Sequence, residues 1–194
     1  MKGCRPLTDE EVALVVKSFG GIYAARDKAL FLLGVKSGFR ISELLSLRVG
    51  DVCQAGRLVD RVTVRRQHMK QRREGRTVLL HPEARAALAV WLQQLAADGP
   101  LLPSLYVFQS RKGLNRPISR IHAWRILQEV YAANELTGKL GTHSLRKTFA
   151  TRIYDRLGHD LVKTQRALGH RNINSTVHYL SFREEDIDAA ILAL

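Results

Sequence analysis

From Leu58 to Leu80 the chain reads LVDRVTVRRQHMKQRREGRTVLL, the one stretch with a strand pattern. Val59, Val62 and Val64, then Thr77, Val78 and Leu79, favour β structure. The basic run from Arg65 to Arg76 between them reads as a long hairpin tip. Around this stretch the pattern is helical. Thr8-Asp9-Glu10-Glu11 ahead of Val12, Leu14, Val15 and Val16 is a capping box, with Thr8 as N-cap and Glu11 at N3, and predicts a helix to about Phe19. A second helix is expected from about Tyr23 to Lys36, with Ala25, Ala29, Leu32 and Leu33 at helical spacing, broken by Ser37-Gly38. A short one follows over Ile41 to Ser46. Pro82 opens another that Gly99-Pro100 closes. Further helices are expected at roughly 119–135, 142–157, 161–168, 174–179 and 184–193. The fold class is therefore mainly α with a small antiparallel β-sheet (α+β).

The 194 residues carry 31 Lys and Arg against 18 Asp and Glu, a formal net charge of +13. At 45% hydrophobic residues this is ordinary globular composition, which excludes a disordered chain. So basic a protein calls for a polyanion, nucleic acid first and an anionic membrane surface second. The charge is uneven. Arg61, Arg65, Arg66, Lys70, Arg72, Arg73 and Arg76 stand against the single acid Glu74, whereas the last residues, 183–194, are acidic. Two cysteines, Cys4 and Cys53, build neither a disulfide framework nor a Cys-rich zinc site, so a reducing, cytoplasmic setting is expected. The polar, then acidic, N-terminus does not read as a secretory signal, and no apolar run is long enough to cross a membrane.

Three short blocks carry candidate chemistry. In Gly141-Thr142-His143-Ser144-Leu145-Arg146, His143 and Arg146 are three apart at a helix start and are expected on one face. There the free N–H groups and the positive helix end suit a phosphate. Leu168-Gly169-His170 is followed by Thr176 and Tyr179, and Ser37-Gly38-Phe39-Arg40-Ile41-Ser42-Glu43 sets an arginine just after a glycine break. Singly, each has an ordinary reading: a chance His-x-x-Arg, a packing tyrosine, an arginine paired with Glu43.

Together, SGFRISELL, HSLRKTFAT and LGHRNINSTVHYL, in this order and spacing, resemble the tyrosine recombinase (phage integrase) family from about Thr8 to Phe182. The resemblance implies that family's catalytic-domain fold and a site-specific DNA recombinase acting through a 3′-phosphotyrosyl intermediate. It assigns Arg40 as the first catalytic arginine, His143 and Arg146 as the second block's pair, His170 as the His-or-Trp position, and Tyr179 as the nucleophile. In the family a lysine at the hairpin tip is the general acid. Lys70, the only lysine between Lys36 and Lys112, takes that place. Glu43 matches the acidic residue common after the first arginine, where it either orients Arg40 or is a surface carboxylate. Double-stranded DNA is the implied partner, bound by a homotetramer on paired sites with accessory DNA-bending proteins, on the bacterial or phage nucleoid. On electrostatic grounds Arg65, Arg66, Arg72, Arg73, Arg111 and Lys112 are expected to meet phosphates.

The residue types suit that chemistry. A tyrosine hydroxyl ordinarily ionises near pH 10, so at neutral pH about one in a thousand is phenolate and a neighbour must assist it. Attack on phosphorus builds charge on the non-bridging oxygens, which two fork-shaped arginines clamp. The departing 5′ oxygen needs a proton. A 3′-phosphotyrosyl bond keeps the energy of a phosphodiester, so a 5′-hydroxyl reseals it without ATP, in keeping with the lack of a GxxxxGK[ST] loop. No cofactor and no metal is expected, since the seven histidines form neither His-x-His nor His-Glu-x-x-His.

Full-length family members carry a preceding helical core-binding domain. With a capping box already at Thr8 that domain is expected to be absent, leaving 1–194 as a single catalytic domain. It is then either a naturally minimal recombinase, similar in length to fimbrial-switch invertases, or a catalytic fragment. Lys147 stands where the family often has His. In the tail, about 183–194, Ile187, Ala190, Ile191 and Leu194 form a narrow apolar stripe that packs either on a neighbouring subunit, as in the family, or on its own core. The competing functional readings are a type IB topoisomerase-like strand transferase and a catalytically inactive DNA-binding accessory protein.

Overall fold

The capping box forms as the sequence requires. The Thr8 hydroxyl accepts from the Glu11 N–H at 3.2 Å, the Glu11 carboxylate accepts from the Thr8 N–H at 2.9 Å, and α1 (Asp9–Ser18) begins. The structure is a computed structural model and describes residues 3–64, 75–180 and 191–192. The chain divides into two units, Met1–Phe149 and Ala150–Leu194.

The first unit is built around α2 (Ala24–Ser37), whose residues Ala29 to Val35 are all buried. It packs along α5 (Pro82–Ala97) and against α3 (Ile41–Ser46), while α1 packs on α6 (Arg120–Ala133). Leu30, Phe31, Leu44, Leu88, Phe108, Leu127 and Leu145 form the centre of one core. A left-handed cap ends α2 at Gly38, with φ of 61° and its N–H donated to the Gly34 carbonyl. Gly34 serves close packing instead: a Cβ there would lie 2.7 Å from Leu145 Cδ1 of α7 (Thr142–Arg156).

The expected hairpin is present as β3 (Arg61–Val64) and β4 (Arg76–Leu79), paired antiparallel with Val62 opposite Val78 and Val64 opposite Arg76. Val62 and Val64 are buried and Arg61 and Thr63 exposed, so Val78 and Arg76 lie on the inner face. Its tip, 65–74, lies outside the described residues. Two features go beyond the sequence expectation: a one-turn helix, α4 (Val49–Val52), and a two-residue hairpin, β1 (Cys53–Gln54) with β2 (Arg57–Leu58). Both are too short to show a period. Val59 lies between β2 and β3 rather than in a strand.

In the second unit Asp160 caps α8 (Leu161–Leu168), its carboxylate accepting from the Lys163 N–H at 2.8 Å, and Gly169 closes that helix in the left-handed conformation. α9 (Ile173–Val177), capped by Asn172, packs against α8 and ends two residues short of the expected Tyr179, which sits in the turn after it. Of the tail only Ile191 and Leu192 are described; both are helical and exposed, and the rest of the apolar stripe lies outside the described residues. No described helix is long and apolar enough to cross a membrane.

Candidate active site

Arg40 follows the Gly38 turn and precedes α3. Its backbone N–H donates to one Glu43 carboxylate oxygen at 2.7 Å and its guanidinium Nη1 to the other at 2.9 Å. Glu43 is itself buried, so of its two readings the orienting one describes the structure, and the surface carboxylate is set aside. The pair leaves Arg40 partly exposed while fixing where its guanidinium points.

Arg146 comes to the same turn from α7. Its Nη1 donates to the Gly38 carbonyl, two residues before Arg40. At 1% exposure it is among the largest fully buried side chains, whereas His143 is exposed. Spacing put these two on one helical face, yet they occupy different environments. The close approach of α7 to Gly34 buries the first, while His143, second in the helix, stands at its open end. The N-terminus of α7 is partly closed upon itself, since the Gly141 N–H donates to Ser144 Oγ at 3.1 Å.

Arg76 was counted in the sequence only as one charge of the basic run. From β4 its Nη2 donates to the Ser37 carbonyl at 2.7 Å and its Nη1 to the Gly38 carbonyl at 3.1 Å. Its guanidinium lies 5.0 Å from the Phe39 ring centroid and 5.9 Å from that of Phe149. Burial first, and then the charge of Arg146, push its pKa down to about 9, with an upward pull from Glu43 and a lesser downward one from Arg40. It stays protonated at neutral pH. Arg40, Arg76 and Arg146 therefore gather round one turn with Glu43 as the acid among them.

In the second unit His170 follows the Gly169 cap and is buried. Its Nδ1 is 3.0 Å from the hydroxyl of the fully buried Thr176, and its ring centroid is 5.2 Å from that of the half-buried Tyr179. The Gln165 amide donates to the His170 and Arg171 carbonyls at 3.0 and 3.1 Å and pins the turn. Thr176 is thus a contact of His170, and its signal was its position between His170 and Tyr179. Lys70, Arg65, Arg66, Arg72 and Arg73 lie outside the described residues. Arg111 and Lys112 are exposed in the loop bounded by the Gln109–Pro117 bridge. Among the described residues no three His, Cys, Asp or Glu side chains group as a metal site.

Cations gathered with little matching acid in the first unit, and a tyrosine ring set against an anchored histidine in the second, are features that suit phosphoryl transfer. Residues 7–185 match the family described as the phage integrase family, and the chain belongs to that family, the tyrosine recombinases, which break and rejoin DNA. It is 33% identical over 165 residues to the probable integrase/recombinase YoeC of Bacillus subtilis (strain 168), covering 85% of this chain and 82% of that protein. It is 31% identical over 180 residues to the type 1 fimbriae regulatory protein FimE of Escherichia coli (strain K12), covering 90% and 84%. The tyrosine recombinase XerD of Neisseria meningitidis serogroup B is 34% identical over 166 residues, 81% of this chain but 50% of the relative. The chain therefore spans about half the length of that relative. Among solved structures, XerA recombinase shares the fold at a TM-score of 0.76 and 21% identity, over 99% of this chain and 66% of that one. XerH, a site-specific recombinase bound to its difH substrate, gives 0.73 and 24%, over 96% and 53%. The expected catalytic-domain fold is borne out.

Proposed function

We propose that this chain is a site-specific DNA recombinase that cleaves one strand with Tyr179 and holds it as a 3′-phosphotyrosyl ester. The observation that supports this most directly is the Tyr179 ring against His170, whose Nδ1 is tied to Thr176. Tyr179 Oη bonds to the scissile phosphorus as the bond from phosphorus to the 5′ oxygen breaks. The tyrosine proton passes to the histidine pair, His143 and His170, and Lys70 gives a proton to the 5′ oxygen. Arg40 and Arg146 hold the non-bridging oxygens while charge builds on them. The 5′-hydroxyl of a partner strand then reverses the step. Duplex DNA is the substrate, met by Arg65, Arg66, Arg72, Arg73, Arg111 and Lys112. A tetramer on paired sites, joined by exchange of the 183–194 tail and aided by DNA-bending proteins, completes the exchange. In this reading 1–194 acts as one catalytic domain on the bacterial or phage nucleoid.

The test is covalent capture. The chain is mixed with nicked duplexes cut from the DNA flanking its gene, whose short 5′-hydroxyl fragment diffuses away after cleavage. A denaturation-resistant adduct on the 3′-phosphate side is expected, and in excess EDTA too, because protein cations carry the charge. Binding without any adduct would favour the accessory DNA-binding reading.

A second expectation concerns Thr176. Thr176→Val keeps the shape and removes the hydroxyl that fixes the His170 ring and tautomer. Adduct formation should slow about tenfold, part of the ~10²–10⁴ that a positioned acid–base group supplies, and Thr176→Ser should restore it. Equal rates for Val and Ser, measured in a single turnover, would leave the contact without catalytic meaning.

A further inference from the structure

We propose that Arg76 is a positioning residue for the phosphate-clamping arginines, acting by holding the Ser37–Gly38 turn from the base of the hairpin. The inference rests on the reading of Arg40 and Arg146 as that clamp. Its ground is the geometry of the turn. Gly38 has a φ of 61°, and a Cβ there would press into the Phe149 ring, so any side chain would strain the turn and displace that ring. Its carbonyl receives two guanidinium groups, Nη1 of Arg76 and Nη1 of Arg146, while the preceding carbonyl of Ser37 receives Nη2 of Arg76. The Arg76 fork thus spans two successive carbonyls, and the guanidinium is bracketed by Phe39 and Phe149. Arg40 leaves the turn two residues on and is held by Glu43. A shift of the turn moves both clamping arginines at once.

The choice of residue points the same way. A neutral donor would satisfy these carbonyls without repelling Arg146. A cation there is costly in the free protein, which is visible in its lowered pKa, and becomes favourable once a phosphate anion enters. Strand register explains how it reaches the turn, because Val64 and Arg76 are opposite neighbours and Val64 is buried. The first residue of β4 after the hairpin tip therefore ties the strand pair to the turn between α2 and α3.

The experiment is a double-mutant cycle on adduct formation, using the nicked duplex on which the wild-type chain forms its adduct. Arg76→Lys keeps the charge and loses the fork. It is expected to slow the wild-type rate about 10- to 100-fold, the scale of a small misplacement transmitted to reacting atoms, with melting temperature and non-covalent DNA affinity near wild type. In an Arg146→Lys background, where only the Arg40 arm of the clamp is left to be misplaced, the same change should cost several-fold less than in the wild-type background. The same factor in both backgrounds, or no loss in either, overturns the proposal and leaves Arg76 a structural staple. Phe149→Leu trims one bracketing ring and removes no cation; it should show a smaller, equally non-additive loss, and decides the matter should Arg76→Lys unfold. A wild-type chain that forms no adduct on any duplex overturns the parent reading, and this inference with it.

Discussion

Tyr179→Phe is expected to abolish the covalent protein–DNA adduct while leaving DNA binding and thermal stability close to wild type. The change removes one oxygen and keeps the ring that packs 5.2 Å from the His170 ring. The loss should be complete at the sensitivity of a denaturing gel. Four other tyrosines serve as controls, each in different surroundings. Tyr131 is buried, which pushes its hydroxyl pKa up and away from nucleophilic use. Tyr106 faces the Arg48 guanidinium at 3.3 Å, and Tyr23 lies 4.3 Å beneath that of Arg26. Tyr154 is the demanding control because it also meets a histidine, with ring centroids 4.9 Å from His159. His159 is exposed, however, and reaches Asp155 rather than a buried hydroxyl. Phe at Tyr23, Tyr106, Tyr131 or Tyr154 should therefore still give the adduct. An adduct that persists in Tyr179→Phe and disappears in Tyr154→Phe would move the nucleophile to the other pair.

Much of this site was legible because its residues sit beside strong local signals. The Thr8 capping box, the Gly38 break and the Gly169 cap are short-range features, and α1, α2, α3 and α8 follow them closely. Glu43 shows the limit of such reading. Its spacing from Arg40 allowed either role, and only burial, a property of the whole unit, chose between them. Arg76 shows a different limit. Its parity with Val78, opposite Val62 and Val64, placed it on the inner face, but that signal spans one four-residue strand and lay inside a run of like charges that reads as solvated. The unequal burial of His143 and Arg146 depends on how closely α2 admits α7 at Gly34, which helical spacing does not encode.

Arg146→Met should slow adduct formation by about 10²–10³, the cost of removing one preorganised donor from a developing charge, without lowering the melting temperature. The first part follows from its role on the phosphate oxygens and is measured in a single turnover at saturating DNA. The second part follows from the free protein. Arg146 is almost fully buried beside Arg76 and Arg40, and its charge helps to depress the Arg76 pKa. A cation pKa depressed first by burial and then by Arg146 means that folding disfavours the charged form, so at neutral pH the repulsion adds to a standing cost. Methionine keeps the buried stem and ends the repulsion. The Gly38 carbonyl stays paired through Arg76 Nη1 at 3.1 Å, so that acceptor is not left bare. Activity and stability should therefore separate, with the rate collapsing while the melting temperature holds or rises. A variant that melts well below wild type would mean that the arginine cluster is already compensated before DNA arrives, and that its excess charge is not held in reserve for the phosphate.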